Sequence, residues 1–297
     1  MLFIQIILPV FLIIFAGFVL EKVARLDFRS LTYCSLYLFS PALVFSALMK
    51  QQIKFDMALS LFFFMLLYTA VMLAISVATG RLGRMDRDAR GALSLAAVMM
   101  NVGNFGLPLA YFAFGDRGLN VSILTFVLFN IPLSTLAIII AQGAGAPLGR
   151  ALSNTFKIPI FHGVALAFLL KALSVKIPAF ILDPISLLGQ AAIPLMLVLL
   201  GMQLARTRLN LLPGFLSLAS VLRLVVAPAV AWLITEALGI RGLTRDVVVL
   251  QTSTPSAVLP LLYSLRFGTR PDLVAGAIMV TTILSAGTLT VLLYLLH

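Results

Sequence analysis

Residues 100–108, with the sequence MNVGNFGLP, and residues 251–260, with the sequence QTSTPSAVLP, each interrupt a long apolar run. Proline removes a backbone donor and glycine releases the chain from helical geometry, so we predict that a helix breaks at each stretch. Broken backbone is tolerated inside a bilayer only where it is buried in protein or lines a wet cavity. The two stretches therefore predict an internal polar site shared by two broken helices.

The composition of the whole chain is that of a membrane protein. Of its 297 residues, 62% are hydrophobic and 10% are charged, and the mean hydropathy is +1.14. Water-soluble domains carry roughly a quarter charged residues. A spanning helix needs about 20 apolar residues, so this length allows on the order of ten spans and leaves no room for a soluble catalytic domain. We expect an all-α integral membrane protein that is not an enzyme.

Ten apolar runs are candidates for membrane spans. They fall at about residues 2–20, 31–49, 57–79, 90–114, 120–142, 158–175, 184–204, 212–238, 245–265 and 273–296. The polar stretch 143–157, which contains glycines and a proline, predicts a cytoplasmic linker. It divides the chain into a first repeat at 1–142 and a second repeat at 158–297.

The two halves resemble each other at a nearly constant offset. Residues 108–111, PLAY, recur 152 residues later as residues 260–263, PLLY, and Pro41 recurs 153 residues later as Pro194. Five spans per half is an odd number, so the second half must enter the bilayer upside down relative to the first. We therefore predict ten transmembrane helices arranged as two inverted five-helix repeats, with the broken helices four and nine crossing, as in secondary transporters.

Basic residues indicate the orientation, because cytoplasmic loops hold the excess of Lys and Arg. The loops after spans one, three, five, seven and nine carry thirteen of them, and the other loops carry seven. We predict that the first set of loops is cytoplasmic and that both termini are extracytoplasmic. The net charge is +11, but the basic residues occur in ones and twos rather than in one patch. No nucleic-acid partner is expected.

The polar residues of the two breaks form the predicted binding site. Freed backbone groups, amide and hydroxyl side chains, and the positive ends of two half-helices would face one point, which suits a small organic anion. The alternative is that glycine and proline only make packing kinks. The predicted substrate-binding residues in these stretches are Asn101, Gly103, Asn104, Gly106, Pro108, Gln251, Thr252, Ser253, Thr254, Pro255, Ser256 and Pro260.

Arg223 lies in the middle of span eight, where an unpaired charge is costly. Two interpretations of this residue stay open. In the first, Arg223 is a counter-charge for a bound anion and belongs to the binding site. In the second, it is a structural cation that caps loose carbonyl groups of a broken helix.

Other chemistries leave no signal in the sequence. No acidic residue falls at the centre of a span, which argues against a carboxylate-based antiport mechanism. The single Cys34 and two histidines carry no metal-binding spacing, and the chain has no glycine-rich phosphate loop with a lysine. We expect no metal, no cofactor and no ATP as driving force.

Taken together, these features resemble the auxin efflux carrier family, which includes plant auxin exporters and bacterial malonate or malate permeases. The resemblance covers nearly the whole chain. It rests on residues 38–45, LFSPALVF, on residues 101–109, on residues 223–229, and on residues 251–260. The chain departs from the family at the start of span six, where many members have Asn-Pro and this sequence has Ile158-Pro159.

The resemblance implies a ten-helix fold like that of bile-acid symporters and sodium/proton exchangers. Helices one, two, six and seven would form a scaffold, often the contact of a homodimer, and the other helices a moving domain. The resemblance also implies a substrate carboxylate near Asn101, with Asn130 of span five as a further polar contact.

We predict a secondary carrier of small organic anions, such as mono- or dicarboxylates, in the bacterial inner membrane. Its partners would be the anion, the lipid bilayer and a second copy of the chain. One alternative is a sodium-coupled symporter that uses freed carbonyl groups and the hydroxyls of Thr252 and Ser253 as ligands. Another alternative is a membrane sensor subunit that does not transport.

Overall fold

A computed structural model describes residues 2–51, 55–142, 149, 159–207 and 212–296. Within these ranges the chain is all-helical and contains no β-strand, which confirms the expected class. Seven helical segments of the described residues are long and apolar enough to cross a membrane. The predicted linker at 143–157 lies outside the described residues except for Gly149, and the ten-span inverted repeat stays a prediction.

The described part of the chain forms a series of helices. They are α1 (Phe3–Ala24), α2 (Phe28–Lys50), α3 (Phe55–Leu82), α4 (Arg87–Val98), α5 (Leu107–Gln142), α6 (Pro159–Ala172), α7 (Ala179–Arg206), α8 (Pro213–Ala237), α9 (Gly242–Thr252), α10 (Leu259–Phe267) and α11 (Pro271–Leu296).

The helical backbone is interrupted at both of the quoted stretches. We name residues 99–101, between α4 and the turn that leads into α5, the first break, and residues 253–258, between α9 and α10, the second break. Within α5, Gly115 has φ 61° and ψ −155°, a conformation that side chains with a Cβ rarely adopt. This kink separates the part of α5 that continues predicted span four from the part that forms predicted span five.

Wide π-helical turns precede four of the prolines. The turns are Phe3–Ile7, Ser35–Phe39, Val102–Gly106 and Leu222–Val226, and each ends two residues before a proline: Pro9, Pro41, Pro108 and Pro228. A proline ring clashes with the carbonyl four residues earlier and cannot donate to it, and the wider turn removes that clash. Pro108 therefore accompanies a widened turn in a helix that stays continuous. The interruption of the helix lies earlier, at the first break.

The helices fall into two groups by their contacts. Helices α1, α2, α6 and α7 pack against one another, and α3, α4, α5, α8, α9, α10 and α11 form the second group. Small residues allow the backbones of the first group to approach closely. A Cβ at Gly17 of α1 would lie 2.2 Å from the carbonyl oxygen of Val198, and a Cβ at Gly201 of α7 would lie 1.9 Å from that of Ile14. The α1–α7 contact is therefore a backbone-to-backbone contact.

Gly201→Ala is expected to destabilise the protein, because the added methyl group must push α1 and α7 apart. Overpacking of this kind costs about 1–3 kcal/mol or more, which corresponds to a melting temperature lower by about 5–10 °C. Gly287→Ala in α11 is the matched control, since no heavy atom lies within 4 Å of its would-be Cβ. Thermal unfolding of both variants in the same detergent gives the comparison. Equal melting temperatures for the two variants would contradict the close α1–α7 contact.

Candidate functional site

The two breaks are joined by backbone hydrogen bonds. The N–H of Asn101 donates to the carbonyl of Pro255 at 2.9 Å, and the N–H of Ala257 donates to the carbonyl of Met99 at 2.8 Å. Met100 and Ser256 thus form an isolated antiparallel β-bridge. Because lipid offers no hydrogen bonds, each break supplies partners for backbone groups that the other leaves free. The pairing holds the ends of four helices together at one place.

Ser256 ties the paired breaks to the helices around them. Its hydroxyl donates to the carbonyl of Ala96 at 2.7 Å, and its N–H donates to the hydroxyl of Thr281 in α11 at 3.1 Å. Ser256 is buried, and it does not line the cavity described below. Its contacts fix the backbone of the second break.

Three other hydroxyls of the second stretch are also engaged with the backbone. Thr252 and Ser253 donate to the carbonyl of Val249 at 3.0 and 2.6 Å, and Thr254 donates to that of Gln251 at 2.7 Å. These hydroxyls add a second donor to carbonyls at the C-terminal end of α9, where Val249 also accepts the N–H of Ser253 and Gln251 that of Thr254. The sequence suggested these hydroxyls as substrate contacts, and none of them lines the cavity.

Arg223 lies at the C-terminal ends of two helices. The side chain is fully buried, and Nη1 donates to the carbonyl of Ala97 at 2.9 Å, near the end of α4. Nη2 donates to the hydroxyl of Tyr68 at 3.0 Å, and that hydroxyl donates to the carbonyl of Thr252, at the end of α9, at 3.3 Å. Of the two interpretations left open by the sequence, this geometry supports the structural cation that caps helix carbonyls.

A cavity of about 360 Å³, which we name the central cavity, lies between the paired breaks and helices α2 and α7. Most of its lining is apolar, and no charged side chain lines it among the described residues. The polar lining residues are Thr32, Ser35, Ser40, Asn101, Asn104, Asn130, Gln203 and Tyr263. Such a mainly apolar cavity with a few polar groups is typical of a small-molecule site.

The predicted site residues divide into two sets. Five line the central cavity: Asn101, Gly103, Asn104, Asn130 and Pro260. Nine do not: Gly106, Pro108, Arg223, Gln251, Thr252, Ser253, Thr254, Pro255 and Ser256.

Asn101 has an unused hydrogen-bond donor at the cavity. The residue is 5% exposed, and its Nδ2 has no hydrogen-bond partner in the part of the chain that the structure describes. A buried donor without a partner costs about 1–3 kcal/mol, so its presence needs an explanation. The helical turn that starts at Val102 and helix α10, which starts at Leu259, also present their N-terminal ends to the cavity. Amide and helix N-termini together favour a negatively charged ligand.

Asn130 is arranged differently from Asn101. Its Nδ2 donates to the carbonyl of Phe126 at 2.9 Å, one turn earlier in α5. The Nδ2 group of Asn130 is therefore already engaged in an internal hydrogen bond, whereas the Nδ2 group of Asn101 is not.

Gln251 packs behind the first stretch. Its amide contacts the hydroxyl of Ser122, and its Oε1 is buried without a partner. A Cβ at Gly106 would lie 2.5 Å from that Oε1, so glycine at this position makes room for the Gln251 side chain. Gly106 and Gln251 thus form a packing contact between the two stretches.

Sequence reasoning missed the contribution of other helices. Tyr68 of α3 links Arg223 to α9, and Thr32, Ser35 and Gln203 supply polar lining from α2 and α7. Each is a polar group within an otherwise apolar span, which is the signal that could have identified it.

A second cavity, also of about 360 Å³, lies further along α2 and α7. From these two helices it is lined by Leu43 of α2 and by Gln190, Ile193 and Pro194 of α7. The central cavity instead meets α2 before residue 41 and α7 after residue 195. Tyr111 and Asp116 add polar groups. The two cavities therefore occupy different levels of the same two helices.

Comparison with known proteins gives a consistent family match. The family model described as "Membrane transport protein" matches residues 2–150 and 146–293. An uncharacterized transporter of Methanocaldococcus jannaschii is 30% identical over 201 residues, 66% of this chain and 65% of that protein. A Rhizobium meliloti protein named "Putative malonate transporter" is 27% identical over 310 residues, 98% of this chain and 95% of that protein. Auxin efflux carrier component 1 of Arabidopsis thaliana is 28% identical over 125 residues, 41% of this chain and 20% of that protein.

Proposed function

The chain belongs to the family of membrane transport proteins that contains the auxin efflux carriers, and from that premise we propose that it is a secondary carrier of small organic anions. It is an integral membrane protein and a transporter by family. Transport would proceed by alternating access, with the anion bound in the central cavity. The single observation that carries the proposal is the unpartnered Nδ2 of Asn101 beside two helix N-termini.

The architecture that we propose is a ten-helix inverted repeat with residues 143–157 as the linker between halves. Helices α1, α2, α6 and α7 would be the scaffold and the contact of a homodimer. The second group of helices would carry the paired breaks and move against it. The close α1–α7 contact supports a rigid scaffold, and the two cavities at different levels of α2 and α7 support access from two sides.

The substrate class follows from the lining of the central cavity. A mainly apolar wall with amide donors and no charged side chain among the described residues suits an anion whose charge is compact and whose body is apolar. Mono- or dicarboxylates of small size fit this description. The names of two relatives, which mention malonate and auxin, refer to organic acids and agree with it.

Uptake into proteoliposomes tests the proposed function. The purified protein is reconstituted, a panel of labelled mono- and dicarboxylates is offered with and without sodium, and protein-free liposomes give the background. Protein-dependent uptake of at least one carboxylate without sodium supports the carrier. Uptake that requires sodium would support the symporter alternative, and carboxylate binding without any uptake would support the sensor alternative.

The orientation that we propose has the loops rich in basic residues in the cytoplasm of a bacterial cell and both termini outside. A cysteine introduced beside Arg84 is then expected to be protected from an impermeant thiol reagent in intact cells, and one beside Arg117 is expected to react. Both arginines are exposed, so burial does not explain a difference in labelling. Cys34 is exposed and must first be replaced. The opposite labelling pattern would refute this orientation.

A further inference from the structure

We propose that Arg223 is a tethered cation, built into the chain at the place where a carrier of this kind would otherwise bind a cation from solution. The transport part of this inference rests on the proposed function, while its binding part concerns the folded protein alone. The consequence is that neither the paired breaks nor the transported anion needs a sodium ion.

Four helix ends meet at the paired breaks, and two of them are negative. Helices α4 and α9 end at the breaks, and each C-terminal end carries the equivalent of about half a negative charge. The two together amount to about one negative charge, and the guanidinium group of Arg223 supplies one positive charge. Its Nη1 lies 2.9 Å from the carbonyl oxygen of Ala97 and 3.5 Å from that of Val98, both in the last turn of α4.

The end of α9 is reached through Tyr68. Its hydroxyl accepts a hydrogen bond from Arg223 at 3.0 Å and donates one to the carbonyl of Thr252 at 3.3 Å. Carbonyl oxygens at the C-terminal ends of interrupted helices are the ligands that coordinate sodium in many secondary transporters. Here the carbonyl of Ala97 contacts a fully buried guanidinium group directly, and the carbonyl of Thr252 is linked to it through the Tyr68 hydroxyl.

The separate positions of the proposed anion site and of the Arg223 guanidinium agree with this role. The N-terminal ends of the following helical segments, at Val102 and Leu259, meet the central cavity, and Arg223 is absent from its lining. The proposed anion site and Arg223 thus occupy different places at the paired breaks. Arg223 offsets the negative helix ends without occupying the substrate's place.

The test compares melting temperatures of purified wild type and Arg223→Ala in sodium chloride and in choline chloride at equal ionic strength. Wild type is expected to melt at the same temperature in both salts. Arg223→Ala is expected to melt about 10 °C lower, because charge-assisted hydrogen bonds are lost and carbonyls lose their partner. Sodium, or guanidinium at a few millimolar, is then expected to restore part of the loss, since a free cation can enter the vacated place.

Arg206→Ala is the matched control. Arg206 lies at the end of α7, where Nε is 2.7 Å from Oε1 of Glu21 and Nη2 donates to the carbonyl of Leu26. Its loss removes an arginine outside the breaks whose side chain is 40% exposed, so water can replace the lost contacts and the melting temperature should depend only weakly on which cation is present. A merely structural role for Arg223 would make both variants behave alike.

Two results would overturn the inference: stabilisation of wild type by sodium relative to choline, or an Arg223→Ala variant that neither sodium nor guanidinium stabilises. If Arg223→Ala does not fold, Arg223→Lys and Arg223→Met give the same decision. Lysine keeps the charge and should keep most of the stability, whereas equal melting of the two variants would contradict a role for charge. These melting temperatures are measured without substrate, so they test the role of Arg223 even if the chain transports no anion.

Discussion

Replacing Asn101 by alanine is expected to weaken binding of the transported anion about ten- to a hundredfold without lowering the melting temperature. One hydrogen bond to a charged group is worth about 1.5–3 kcal/mol, and each 1.4 kcal/mol is about a tenfold change in affinity. Stability should not fall, because Nδ2 of Asn101 has no partner among the described residues and its removal breaks no hydrogen bond of that atom with them. Titration calorimetry and thermal unfolding on the same preparation measure both quantities.

Asn130→Ala is the matched control for this experiment. Asn130 is the same residue type and lines the same cavity, but its Nδ2 already donates to the carbonyl of Phe126. We expect a smaller loss of affinity for this variant. Unchanged affinity in Asn101→Ala, or equal losses in both variants, would remove the free amide as the feature that recognises the anion.

Membrane voltage is expected to control how far the anion accumulates. The central cavity has no charged lining residue among those described, and Arg223 is covalently part of the chain, so a monovalent substrate carries its own negative charge across in each cycle. One elementary charge crossing 100 mV is worth about 2.3 kcal/mol, which corresponds to about a 50-fold difference in concentration at steady state. The anion should collect on the positive side of the membrane.

This expectation is measured with labelled carboxylate in sodium-free proteoliposomes. A potassium gradient with valinomycin imposes the potential, and equal potassium on both sides removes it. Protein-free liposomes report leakage of the neutral acid through the lipid. Accumulation that is the same at both potentials would show that a cation travels with the anion or that the carrier exchanges like charges.

The fold class could be predicted from composition because it depends on a sum over the whole chain. An excess of apolar residues with few charged ones predicts a protein built of membrane helices. The described residues are all-helical, as expected. The interruptions could also be located, since proline and glycine act on the backbone where they stand. Pro108 shows the limit of this reasoning. It promotes a wide turn before it, while the interruption lies at residues 99–101.

The residues of the site could be predicted only in part, because a polar group belongs to the site only if no hydrogen-bond partner within the protein engages it. Ser253 is a polar residue in a break, as Asn101 is, and Thr252 directly precedes that break, yet their hydroxyls reach carbonyls of α9. The amide of Asn101 finds no such partner. Short hydroxyl side chains bond readily to local backbone, and this competition is invisible in a list of residue types.

Arg223 illustrates the same limit for a charged residue. The sequence indicates that a charge inside a span must have a partner, and it leaves open whether that partner is a ligand or the protein. The answer depends on Tyr68 and Ala97, which are 155 and 126 residues away in the chain. No local pattern contains that information.

The wide turns that precede prolines have a consequence for insertions and deletions in this chain. Such a turn holds one more residue than an α-helical turn, and one residue corresponds to about 100° of rotation about a helix axis. Deleting one residue from Val102–Gly106 would therefore rotate the part of α5 that follows, and the face that carries Phe126 and Asn130 would no longer meet the cavity. Which face of α5 meets the cavity therefore depends on the number of residues in this turn as well as on their identity.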